Sequence, residues 1–187
     1  MGENLSYLLT RTGLGEAARA FGWSPGPSLA RPPLHEADHW GAKLAKNDWC
    51  LLWSRSETYF HTRQRDLQAL SRLGPFILCS VQESAMVSGA EAWRDGERTW
   101  SILCLDEHDD PVVEGTPPAT FAELRDRARD GRGDPSLDAD QPFHVPLRLA
   151  EAQTGFRYEN VLQDGLFVSC HALERTRRGL LTRLFGR

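Results

Sequence analysis

Two apolar runs on either side of Asp95-Gly96 organise the pattern of hydrophobic and polar positions along this chain. Phe76 to Leu105 reads FILCSVQESAMVSGAEAWRDGERTWSILCL. Asp-Gly adopts a type I′ turn at low cost because both central residues need φ > 0. Pairing outward from that turn sets Arg94 against Glu97, Trp93 against Arg98 and Glu91 against Trp100. Trp93, Trp100, Ile102 and Val87 then share one face, and Ala90, Ala92, Met86, Leu103 and Leu105 the other. Strands are expected at 76–82, 85–94 and 98–105, with Val112-Val113 as a short edge strand. Upstream, the compact run Trp49-Cys-Leu-Leu-Trp53, bounded by polar residues, predicts a buried strand.

Helical spacing governs the flanks. Residues 3–22 carry Leu5, Leu8, Leu9, Ala17, Ala18 and Phe21 and predict a helix interrupted near Gly13 and Gly15; Ser24 to Pro33 reads as a connector. Leu34, Ala37, Trp40, Leu44 and Ala45 predict a short helix over 34–46. Leu67, Leu70 and Leu73 predict a helix over 62–73, which Gly74-Pro75 terminates because proline cannot continue the hydrogen-bond ladder. Thr120-x-x-Glu123 is a capping box opening a helix that turns Phe121, Leu124 and Ala128 inward. Pro146 and Gly155 bracket another helix, LRLAEAQT. Residues 130–142 carry turn formers and acids and predict a mobile loop. Fragments at Val161-Leu162 and Leu166-Phe167-Val168 suit strands, and the tail from Ala172 to Phe185 predicts an amphipathic helix with Leu173, Leu180, Leu181 and Leu184.

These elements predict one α+β domain over residues 1–187: a helical part (1–46), a sheet core (49–115) and a helical part (119–187). The expected architecture is an antiparallel β-meander of four to five strands, with helices packed on one face and at both termini. Composition fits: 187 residues, 40% hydrophobic, 26% charged and six Trp make a globular chain with a sizeable core. A net charge of −4 argues against a generic nucleic-acid coat. No apolar run reaches the ~18 residues that span a bilayer, and Met1 to Gly13 lacks the pattern of a signal peptide. Cys50, Cys79, Cys104 and Cys170 stand singly among apolar neighbours, which suits buried thiols in a reducing, cytoplasmic compartment.

Three segments carry candidate chemistry. His35-Glu36-Ala37-Asp38-His39 satisfies H-E-x-x-H, which on a helix sets two imidazoles on one side to ligate zinc while Glu36 acts as general base; Glu57 or His61 would supply a third ligand. This resembles the zinc metallopeptidases over five residues only, and Asp38 departs from their pattern. Asp106, Glu107, Asp109 and Asp110, joined by Glu114, form an acidic stretch without calcium-loop spacing, suited to a basic protein partner whose association it would speed. Arg175, Arg177, Arg178, Arg183 and Arg187 make the tail basic, as the C-terminus of a helix favours. No nucleophile elbow is present.

The Trp49–Trp53 segment, Leu73-Gly-Pro75, the hairpin Ala90 to Gly96 followed by Trp100, Gly115-Thr-Pro-Pro118 and the run Val145 to Arg157 together resemble small acidic bacterial proteins of the immunity type, which neutralise secreted antibacterial toxins by contact. The resemblance covers most of 49–157, rests on turns, caps and core aromatics, and implies no catalytic residue and no cofactor. The expectation is therefore a non-enzymatic, cytoplasmic protein that binds a toxin through Asp106, Glu107, Asp109, Asp110 and Glu114. A zinc-dependent hydrolase using His35, Glu36 and His39 is the alternative.

Overall fold

The computed structural model describes residues 2–105, 110–130 and 142–176. Along them run β1 (Asn4–Thr10), α1 (Leu14–Ala20), β2 (Trp23–Leu29), β3 (His39–Leu44), β4 (Cys50–Ser54), α2 (Gln64–Leu73), β5 (Phe76–Gln82), β6 (Val87–Arg94), β7 (Glu97–Cys104), β8 (Val112–Gly115), α3 (Thr120–Asp130), α4 (Val145–Thr154) and β9 (Phe167–Arg175). The fold is α+β, but the described strands form one nine-stranded sheet in the order β2-β9-β3-β4-β1-β5-β6-β7-β8. All neighbours are antiparallel. Only β5 to β8 keep the expected meander; β1 and β9 are threaded between strands distant in sequence.

The helices cover both faces rather than one. On the first, Leu8, Leu52, Phe76, Leu78 and Trp93 pack against Ala17 and Ala18 of α1 and Leu67 and Leu70 of α2. On the second, Tyr7, Leu9, Trp40, Trp53, Ile77, Trp100 and Ile102 pack against Phe121 and Ala128 of α3 and Leu147, Leu149 and Ala150 of α4. Burial on both sides explains why the expected helix over 3–22 is instead strand β1 followed by the short α1. Leu5 to Thr10 are all buried, so the alternation that marks a half-exposed strand is missing. Two of the buried hydroxyls of β1 find carbonyls: Ser6 Oγ donates to Ser56 O at 2.6 Å and Thr10 Oγ1 to Pro75 O at 3.4 Å.

Three further expectations are corrected. The connector Ser24–Pro33 contains strand β2, which tolerates Pro25 and Pro27 because it lies at the sheet edge, where a missing N–H breaks no ladder. Segment 34–46 is a turn leading into β3, not a helix, so the amino-terminal third is mostly strand. The tail from Ala172 to Arg175 ends β9, paired with β3 and β2; residues 177–187, with Arg177, Arg178, Arg183 and Arg187, and most of the expected loop 130–142 lie outside the described residues. By contrast α2, β5, β8, α3 and α4 form where the pattern places them, and Gly155 closes α4 at φ 72°.

The central hairpin turns as expected, with Asp95 at φ 55° and Gly96 at φ 88°. Ser71 of α2 anchors its tip: its carbonyl accepts from Asp95 N at 3.0 Å and its Oγ from Gly96 N at 2.8 Å. The register departs one step in. Arg94 faces Glu97 and Trp93 faces Arg98, but Ala92 faces Trp100 and Glu91 faces Ser101. Thr99 is the extra residue of a bulge, and its Oγ1 donates to Ala92 O at 3.1 Å. The bulge sends Trp93 to the α1/α2 layer and Trp100 to the α3/α4 layer, which the two-residue count had placed together.

Candidate functional site: the sheet face that carries Glu91 and Leu103

On the α1/α2 side, the second helix reaches only as far as Phe76, Leu78 and Trp93. Farther along the same strands, alternation turns Ser80 and Gln82, Val87, Gly89 and Glu91, Ser101 and Leu103, and Val112 and Glu114 toward that side, with no helix above them among the described residues. The surface is concave, with a cavity of about 360 Å³ walled by Glu57, His61, Glu91 and Leu103. At its rim Leu103, Leu105 and Val112 are 38%, 55% and 54% exposed, a cluster of apolar surface at one end of the sheet, while Val113, paired with Ile102, turns to the other face.

A polar network is set into this face. Glu91 is only 5% exposed. Its Oε1 accepts from Trp93 Nε1 at 2.9 Å, and its Oε2 lies 3.3 Å from Arg98 Nη1. Arg98 also pairs with Glu114, whose Oε2 accepts from Ser101 Oγ at 3.4 Å. His61 Nδ1 stands 3.8 Å from Glu91 Oε1, beyond hydrogen-bond reach. One guanidinium thus faces two carboxylates, and Glu57 adds a third acid to the cavity wall. The arrangement fixes charge and shape. It sets no hydroxyl or thiol against the imidazole within hydrogen-bond distance among the described residues, as nucleophilic catalysis would need.

The residues expected to bind a partner are only partly placed. Asp106, Glu107 and Asp109 lie outside the described residues. Asp110 receives Nε and Nη2 of Arg129 at 3.0 and 2.6 Å and so leans on α3, whereas Glu114 faces Arg98 and Ser101. The two therefore belong to different layers. Leu103, Val112, Glu91 and Glu57 were not among the residues expected to bind; alternation with the correct register points to the first three, but that register depends on a bulge.

The H-E-x-x-H stretch does not form the helix its zinc chemistry requires. His35 and Glu36 sit in a turn, where Glu36 Oε2 accepts from the His35 backbone N–H at 3.2 Å. His39 opens β3, its ring 4.6 Å from that of Trp23 and 4.4 Å from that of Tyr59. Burial pushes its pKa down, and Arg175 and Arg63 act in the same direction against Asp38. His35 lines a separate cavity with Trp53 and Tyr158, and Glu57 and His61 line the open face. The spacing that suggested a shared ion site is not a shared place. Among the described residues no three His, Cys, Asp or Glu side chains are grouped to hold a metal.

All four cysteines are free and buried. Burial pushes the Cys79 thiol up to about 12 and that of Cys170 to about 11, as expected of small apolar side chains rather than nucleophiles. No described helix is long and apolar enough to cross a membrane. Comparison with models of known families, with curated proteins and with solved structures gave no match.

Proposed function

We propose that this chain is a non-enzymatic, protein-binding protein of the immunity type, which neutralises a basic bacterial toxin by direct contact in the cytoplasm. One observation carries the reading: the β7–β8 end of the sheet exposes Leu103, Leu105 and Val112 beside Glu114, and the acidic stretch 106–110 adjoins it in sequence. An apolar centre rimmed by charge is the anatomy of a protein interface. The net charge of −4 fits a cationic target, and the family resemblance supplies the toxin.

The test is co-expression with the product of the adjoining reading frame, followed by calorimetry on the purified pair. A one-to-one complex and restored growth are expected. Replacing both Leu103 and Val112 by Asp should weaken the complex by about 30-fold or more, the scale of losing a hot spot. A harmless neighbour that does not bind overturns the reading. A complex indifferent to the double substitution removes this face from it.

A further inference from the structure

A second cavity lies on the same side of the sheet but at its opposite half. It encloses about 620 Å³ and is lined by Arg11, Gly13, Leu14, Lys43, Asp48, Cys50, Ser169 and His171. The register explains its floor. Lys43 pairs with Cys50 on one side and with Ser169 on the other, and His171 pairs with Gly41 one step along, so four functional side chains from three strands share one patch. Gly41 sets the wall: a Cβ there would meet Leu14 Cδ1 at 2.6 Å, so its absence lets the start of α1 settle against the sheet.

Two of these side chains are held in place. Arg11 lies over the Trp49 ring, 5.2 Å from its centre. His171 Nδ1 donates to Gly26 O at 2.9 Å, which leaves Nε2 3.1 Å from Ser169 Oγ. Arg11 and Lys43 form no ion pair within 4.0 Å among the described residues, as is also true of exposed cations such as Arg19, Lys46 and Arg65, but these two line the same cavity. Only Asp48 brings a negative charge to the lining. In a chain of net charge −4, two cations without carboxylate partners, a hydroxyl and an imidazole facing one space form a local positive well.

We propose that this cavity binds the phosphate group of a small organic phosphate ester. A guanidinium fork and an ammonium lining one cavity, beside the Ser169–His171 pair, match the several acceptor oxygens of a tetrahedral dianion better than a planar carboxylate. The space exceeds a bare phosphate, and Leu14 and Cys50 give the organic part an apolar side.

The test is titration of isotope-labelled protein with phenyl phosphate, inorganic phosphate, benzoate and, for ionic strength, sodium chloride, followed by amide NMR. Saturable shifts centred on Lys43, Ser169 and His171 are expected, with phenyl phosphate bound more tightly than inorganic phosphate and both more tightly than benzoate. Lys43→Gln and Arg11→Gln should each weaken binding about tenfold or more, on the scale of losing one charge-assisted contact. Both side chains are exposed, so the variants keep the wild-type spectrum elsewhere. Shifts that match the chloride control, benzoate bound as tightly as phenyl phosphate, or unchanged affinity in both variants would each overturn the assignment.

Discussion

His39 shows how a residue's surroundings, rather than its neighbours in sequence, decide its role. Its sequence spacing to His35 suggested a metal ligand, yet its ring stacks on Trp23 and lies tilted against Tyr59, and its pKa is lowered by burial. The unfolded chain therefore takes up a proton at this position near the ordinary value of about 6.5, at a pH where the folded chain still resists it. Stability that is full above that value falls as the pH drops toward the folded-state value, and levels off below it. Denaturation midpoints at pH 7.5 and pH 5.5 measure the effect. The wild-type midpoint should fall on acidification by more than that of His39→Phe, which keeps the stack and loses the titration; equal falls would mean that His39 does not carry the linkage. The cysteines follow the same logic in reverse, because there the sequence was sufficient: single thiols in apolar runs are buried thiols.

At the scale of elements, legibility tracks how local the determining contacts are. The helix over 64–73, the hairpin turn at Asp95-Gly96 and the Pro146-to-Gly155 helix announce themselves within a dozen residues, through periodicity, a turn dipeptide and caps. β1 does not, because its two buried faces erase the alternation, and its Leu5, Leu8 and Leu9 mimic a helical stripe. Nor does β9, whose partners β2 and β3 lie more than a hundred residues earlier. The open face was half legible: Glu114 was singled out, but the bulge at Thr99 concealed which residues share its side. The strand that bears Glu114 depends on Gly115, at φ 73°, where a Cβ would stand 2.2 Å from Thr99 O. Gly115→Ala should thus lower stability by about 1–3 kcal/mol, combining strain in the left-handed region with a backbone clash. Hydrogen exchange should place the opening first at β8 and the facing residues of β7. Unaltered exchange there, with wild-type stability, would show that the end of β8 is not pinned at this glycine.

For the whole molecule, charge and apolar contact should act on different steps of binding. On the proposed function, an overall charge of −4 and the acidic residues that follow β7 in sequence would steer a basic partner from a distance, raising the association rate and making it fall with salt. In such a complex Leu103 and Val112, desolvated at its centre, would govern how long the pair persists, because variants of one interface differ mostly in dissociation. Reversing Asp106, Glu107, Asp109 and Asp110 to Lys should slow association severalfold at low salt, flatten its dependence on ionic strength and leave dissociation nearly unchanged. Leu103→Ala should do the opposite, quickening dissociation about tenfold while association stays within a factor of two or three. Arg129 adds a discriminating detail: it holds Asp110 against α3 by two hydrogen bonds, so Asp110→Asn alone should leave association nearly unchanged. Stopped-flow association and dissociation at several salt concentrations resolve all of these. If charge reversal instead changes dissociation alone, the acidic stretch is a contact surface and not a steering field, and the apolar edge loses its place at the centre of the interface.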